Sequence, residues 1–205
     1  WTTGASNGNV GLGHQTLRGA MNDADENTAV GYQAGYSITT GSENTYLGWK
    51  AGVTTADGGQ NVAIGKSSLL SNVSGYSNTA VGYSVLGSTT GGANTSVGKG
   101  SSSANTSGEY NTVVGANAFY YSQTGSDNTA IGYQSMHGVS GNTHSDNTAI
   151  GYKSMYGVTT GTLNVSVGHS SLLDITTGHR NTMLGYQSGE NTTDAAYNTA
   201  VGYQA

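Results

Sequence analysis

Three sets of side chains in this 205-residue chain have types and spacings that could support chemistry. The first is His137, His144 and Asp146, gathered in one short segment, a mixture of imidazole and carboxylate that zinc accepts. Their spacing matches no metal motif, and a solvated loop accounts for them. The second is Asn22-Asp23-Ala24-Asp25-Glu26, whose oxygens could serve calcium. It has neither EF-hand spacing nor a Gly-Gly-x-Gly-x-Asp nonapeptide, so a solvated turn explains it. The third is a column of rings and cations: His14, Tyr32, Trp49, Lys66, Tyr83, Lys99, Ala116, Tyr133, Tyr152, His169, Tyr186 and Tyr203. Within it Tyr32, Trp49, Tyr83, Tyr133 and Tyr152 are candidates for stacking on sugar rings. The periodicity alone accounts for such a column, with rings that stack on one another or seal an interface between chains.

No catalytic constellation accompanies these sets. The five His have no recurrent Ser or Asp neighbour. A glycosidase would need two carboxylates across a cleft, and the acids here (Glu26, Glu43, Asp127, Asp146) sit at turn positions. The expectation is a protein that is not an enzyme, with no cofactor and no metal.

The regular return of the third set points to the elements that position it. Gly is 34 of 205, Pro and Cys are absent, and 8% of residues are charged, with a net charge of −5. That charge is too low for the self-repulsion that usually accompanies disorder. Six Lys and Arg, spread along the chain, make no basic patch, so nucleic acid is not an expected partner. No apolar run is long enough to insert in a membrane.

A motif recurs twelve times: Asn, then Thr or Val, a variable residue, an aliphatic residue, then Gly. Its Asn residues are Asn9, Asn27, Asn44, Asn61, Asn78, Asn94, Asn111, Asn128, Asn147, Asn164, Asn181 and Asn198. Eight of the eleven spacings are 17 and the others are 18, 16 and 19. The second slot is Thr in nine copies and the fourth is always Val, Ile or Leu, residues suited to strands. A Gly three residues before the Asn, as at Gly41 and Gly125, marks a turn. A 17-residue unit cannot bury enough surface alone, so neighbouring units must cover one another. The expectation is one domain, residues 1–205: an all-β parallel solenoid of twelve coils. Slots two and four should face inward, and Asn27, Asn44, Asn61, Asn78, Asn94, Asn111, Asn128 and Asn147 should form a hydrogen-bonded ladder.

Asn61-Val62-Ala63-Ile64-Gly65 resembles the head repeat of trimeric autotransporter adhesins of the YadA-like type. Asn27 to Ala34 and Asn198 to Ala205, Asn-Thr-Ala-Val-Gly-Tyr-Gln-Ala, are similar to repeats of phage tail fibres. The resemblance covers Asn9 to Ala205, although family repeats are commonly nearer fourteen or fifteen residues. It implies a left-handed β-roll, three chains side by side, and an extracellular place on a cell surface or virion tail. It also implies an adhesive or structural fibre role, with adjoining segments of the same fibre and a surface glycan or outer-membrane receptor as partners. The alternatives are an ice-binding Thr-rich solenoid and a glycan-degrading tailspike.

Two further expectations follow. Leu69, Leu70, Leu172, Leu173, Met136, Met155 and Phe119 lie four or five residues past the motif Gly and should form an exposed apolar stripe at the homotrimer interface. Trp1-Thr2-Thr3-Gly4 resembles the turn before a repeat, and neither end carries a polar cap. The chain should therefore continue, or abut others, as a segment of a longer fibre.

Overall fold

The computed structural model describes residues 6–205; the turn expected at Trp1, Thr2, Thr3 and Gly4 lies outside them. Each motif forms a three-residue strand. These are β1 (Val10–Leu12), β2 (Thr28–Val30), β3 (Thr45–Leu47), β4 (Val62–Ile64), β5 (Thr79–Val81) and β6 (Thr95–Val97), followed by β7 (Thr112–Val114), β8 (Thr129–Ile131), β9 (Thr148–Ile150), β10 (Val165–Val167), β11 (Thr182–Leu184) and β12 (Thr199–Val201). They make one twelve-stranded sheet in strict sequence order. Every pairing is parallel and slot for slot, as in Thr112 with Thr129 and Val114 with Ile131. Among the described residues there is no helix. The expected all-β parallel solenoid is what forms, with about eleven turns between the first strand and the last. At ~4.8 Å per strand step it is a rod of roughly 50–55 Å.

The inward face is not the one expected. The middle residue is buried in every strand from β2 to β11: Ala29, Tyr46, Ala63, Ala80, Ser96, Val113, Ala130, Ala149, Ser166 and Met183. The second and fourth slots face outward, with Leu47, Ile64, Val114, Ile131 and Ile150 all exposed. The physical reason is parity. Side chains alternate along a strand, and Asn occupies the first slot with its amide inside the coil. The third slot must therefore share the interior with the Asn, which leaves Thr and the aliphatic residue outside.

The expected interface stripe is also corrected. Leu69, Phe119, Met136, Met155 and Leu172 are fully buried in their own chain. Leu70 and Leu173 are half-buried. The buried position lies four residues past the motif Gly, and its backbone there is left-handed, with φ from 45° to 55° at Leu69, Phe119, Met136, Met155 and Leu172. That conformation is unfavourable for a side chain bearing Cβ, and full burial of a large apolar group offsets it.

These core residues explain the third slot's tolerance of size. Where it is small (Ala63, Ala130, Ala149), the buried position beyond the Gly is large (Leu69, Met136, Met155). Where it is large, that position is Gly: the Tyr46 ring lies against Gly35 and Gly52, and Met183 against Gly189. In these coils one large and one small residue share the interior, as close packing requires; Ala29 and Gly35 are both small, and the space at Gly35 is taken up by Leu17, Ile38 and Tyr46, while Val113 and Phe119 are both large. Two apolar clusters result, one from Leu17 to Leu86 and one from Val113 to Met183. Between them lies a polar stretch in which the Ser96 hydroxyl is hydrogen-bonded to the hydroxyls of Ser101 at 2.9 Å and Ser102 at 3.0 Å.

Candidate functional site

The side chains that could do chemistry stand on the outer wall in columns set by the repeat. The motif Gly turns the chain out of each strand at φ between 123° and 145°. The residue after it points outward, and one 17-residue step brings its counterpart directly alongside. His14 stacks on Tyr32 with centroids 5.5 Å apart, and Tyr32 on Trp49 at 6.2 Å. The Lys66 ammonium lies 5.0 Å from the Trp49 ring and 5.7 Å from the Tyr83 ring, so a cation takes one rung. The column is interrupted at Lys99 and Ala116. It resumes with Tyr133 on Tyr152 at 5.5 Å, Tyr152 on His169 at 4.7 Å, His169 on Tyr186 at 5.1 Å and Tyr186 on Tyr203 at 5.3 Å.

The five candidates for sugar stacking therefore divide into two runs, Tyr32, Trp49 and Tyr83 in one and Tyr133 and Tyr152 in the other. Their faces are turned toward neighbouring rungs; what they present to solvent is ring edges and phenol hydroxyls. Replacing Tyr152 by Ala removes two stacked pairs and is expected to lower stability by about 1–2 kcal/mol, measured as a shifted denaturation midpoint with the β-signal intact.

A second ring cluster was not anticipated. His137 is sandwiched between Tyr120 at 5.5 Å and Tyr156 at 4.9 Å, with Tyr121 edge-on at 5.1 Å. Burial, aided by the nearby Lys153 charge, holds its pKa below the ordinary histidine value. The signal in the sequence is the fifth residue past the motif Gly, which is aromatic in three successive coils. The Lys153 ammonium sits between the two columns, 5.5 Å from the Tyr152 ring and 5.3 Å from the Tyr156 ring.

His137, His144 and Asp146 do not share a site. His137 lies in the ring cluster, His144 is fully buried, and Asp146 is exposed. Among the described residues no three carboxylates, histidines or cysteines converge. Asn22 to Glu26 binds its neighbours instead: the Asp25 backbone amide donates to the Ser42 hydroxyl oxygen at 2.9 Å, and the Asp25 carboxylate accepts from the Asn7 backbone amide at 2.6 Å.

The Asn column runs along the interior. Asn44, Asn61, Asn94, Asn111, Asn128 and Asn147 each donate a side-chain amide proton to the preceding Asn oxygen, at 3.0 to 3.4 Å. Asn27 does the same to Asn9, and the backbone amide of Asn78 donates to Asn61 Oδ1 at 2.9 Å. The other amide proton crosses to the turn carbonyl of the next coil, as from Asn111 to Gly125 at 2.8 Å. Asn is suited to this because one side chain supplies a double donor and an acceptor on opposite sides.

The remaining surface feature is the flat outer face of the sheet. Thr or Val forms one column and Val, Ile or Leu a parallel one, with no charged residue in either. No protein-family model, no curated protein and no solved structure matches the chain.

Proposed function

We propose that this chain is a structural and adhesive fibre segment that assembles as a homotrimer through the outer face of its sheet. The observation that carries this is the aliphatic column, which continues through all twelve strands while the chain's own core is already filled by other residues. A continuous apolar stripe of this length on a flat face is an association surface, and cyclic assembly is the commonest way to cover one. The trimer number, the left-handed coil and a place on a cell surface or virion rest on the resemblance to adhesin head and tail-fibre repeats. The aromatic columns, left outside such an assembly, are the surfaces offered to a glycan or receptor, and adjoining fibre segments are the expected end-to-end partners.

The test is the mass of the native particle. Wild type at micromolar concentration should sediment as a trimer. The triple variant Val114→Lys, Ile131→Lys, Ile150→Lys should lose assembly, because three ammonium groups per chain would be desolvated. A monodisperse wild-type monomer, or a variant that remains trimeric, would sink the proposal, and the wild-type mass decides even if the variant does not fold. The exposed Thr column favours one alternative, an ice-binding solenoid. That reading requires a wild-type monomer with thermal hysteresis, abolished by Thr112→Lys and Thr129→Lys.

A further inference from the structure

We propose that the long coil closed by His144 is an acid-operated joint in the rod. This holds for the single chain and does not depend on the assembly above. The coil spans the 19-residue spacing between Asn128 and Asn147. Its additional residues leave the wall as a bulge at Val139, Ser140 and Gly141, all exposed, with open space around Gly141. Asn142 then rejoins the wall by pairing with Ser122 and donating to the Val158 carbonyl at 2.9 Å. His144 follows, three residues before Asn147. Eight other coils have Gly at that slot, and Ala24 and Ala195 fill it in two more. Here an imidazole enters the interior, edge-on to Phe119 at 5.0 Å.

The ring is fully buried and neither nitrogen has a hydrogen-bond partner. The Ser122 and Ser135 hydroxyls in the same stretch are likewise unpartnered. The charged or titratable groups on the coils packed around it are Asp127, His137, Asp146, Lys153 and the surface tyrosines. None compensates a charge on the ring, whose one perturbation is loss of water, holding its pKa down at about 4. A neutral imidazole fits this apolar place; an imidazolium does not. The unfolded or opened segment binds a proton near 6.5 and the closed one near 4, so closure is fully stable above about pH 6.5 and loses stability as pH falls toward 4. The bulge and Gly141 supply backbone freedom to release the segment, and the Asn ladder on either side confines the opening to this coil.

Hydrogen exchange of the full chain at pH 7.5 and pH 4.5, corrected for intrinsic rates, tests this. In wild type, opening of residues 138–147 and of the facing 119–125 segment should rise roughly 50- to 100-fold on acidification. His144→Ala, the residue its slot holds at Ala24 and Ala195, should remove that rise. Equal acid responses in wild type and variant, or opening spread evenly along the rod, would overturn the proposal. If the variant does not fold, the His144 Cε1 resonance of labelled wild type decides. A titration midpoint below 5 supports the joint, and an ordinary midpoint between 6 and 7 refutes it.

Discussion

Alanine at Gly132 is expected to lower the stability of the rod by about 3–5 kcal/mol, among the largest effects of a single methyl group. Two independent causes add. The backbone there has φ of 132°, outside the range open to residues with a Cβ. A Cβ would also fall inside the contact shell of the Gly151 carbonyl oxygen in the next coil, which is backbone and cannot turn aside. Relief requires the two coils to separate, and the hydrogen bond from Gly151 N to Ile131 O at 2.7 Å joins them at the same point. The control is Gly87, whose φ is not left-handed and whose Cβ would meet only the Ser103 oxygen at 3.5 Å. Gly87→Ala should be neutral or stabilising by about 0.4–1 kcal/mol, through the unfolded chain. Denaturation midpoints of the two variants, read with circular dichroism, give the comparison; equal midpoints would show that the stack is looser than described.

Asn111→Ala is expected to cost about 3–6 kcal/mol, because it removes four buried hydrogen bonds at once and leaves the Gly125 carbonyl and the Asn128 backbone amide without a partner. Asn94 Oδ1 loses a donor at 3.0 Å and the Gly125 carbonyl one at 2.8 Å. The backbone amide and side-chain amide of Asn128 both lose their acceptor, each at 3.0 Å. Water cannot replace these bonds in a filled coil. Asn111→Asp keeps the acceptor but loses both donors and adds a buried charge, so it should be no milder at neutral pH. The same change at Asn198, which is exposed and bonded to the ladder on one side only, should cost much less. A flat profile along the column would mean that the ladder does not hold the coils together.

The period, the strand positions and the parallel solenoid were legible in the residues alone, since a Gly and an Asn repeating at near-constant spacing leave a stacked coil as the economical way to satisfy every backbone group. The inward turn of Asn was legible too, from its need for amide partners, and with period-two alternation it already implied that the third slot faces the core. β-Branched Thr and Val in the second and fourth slots argued for burial instead, but β-propensity describes a fit to a pleated surface and not which side of it is covered. The core position beyond the Gly reads as an exposed stripe in the sequence because its Leu, Met and Phe adopt left-handed backbone, which no local preference predicts. It becomes visible only when its size is compared with the third slot of the same coil. His144 looked like part of a solvated loop, and three residues of bulge do leave the wall before it. That the chain then re-enters and carries an imidazole into the interior depends on register with Ser122 and Val158, residues of the neighbouring coils. What recurs and how often can be read from the residues alone, because recurrence is a property of the chain. Which face is dry, which rings meet and which histidine is buried were decided by the tertiary structure, because each depends on contacts between coils.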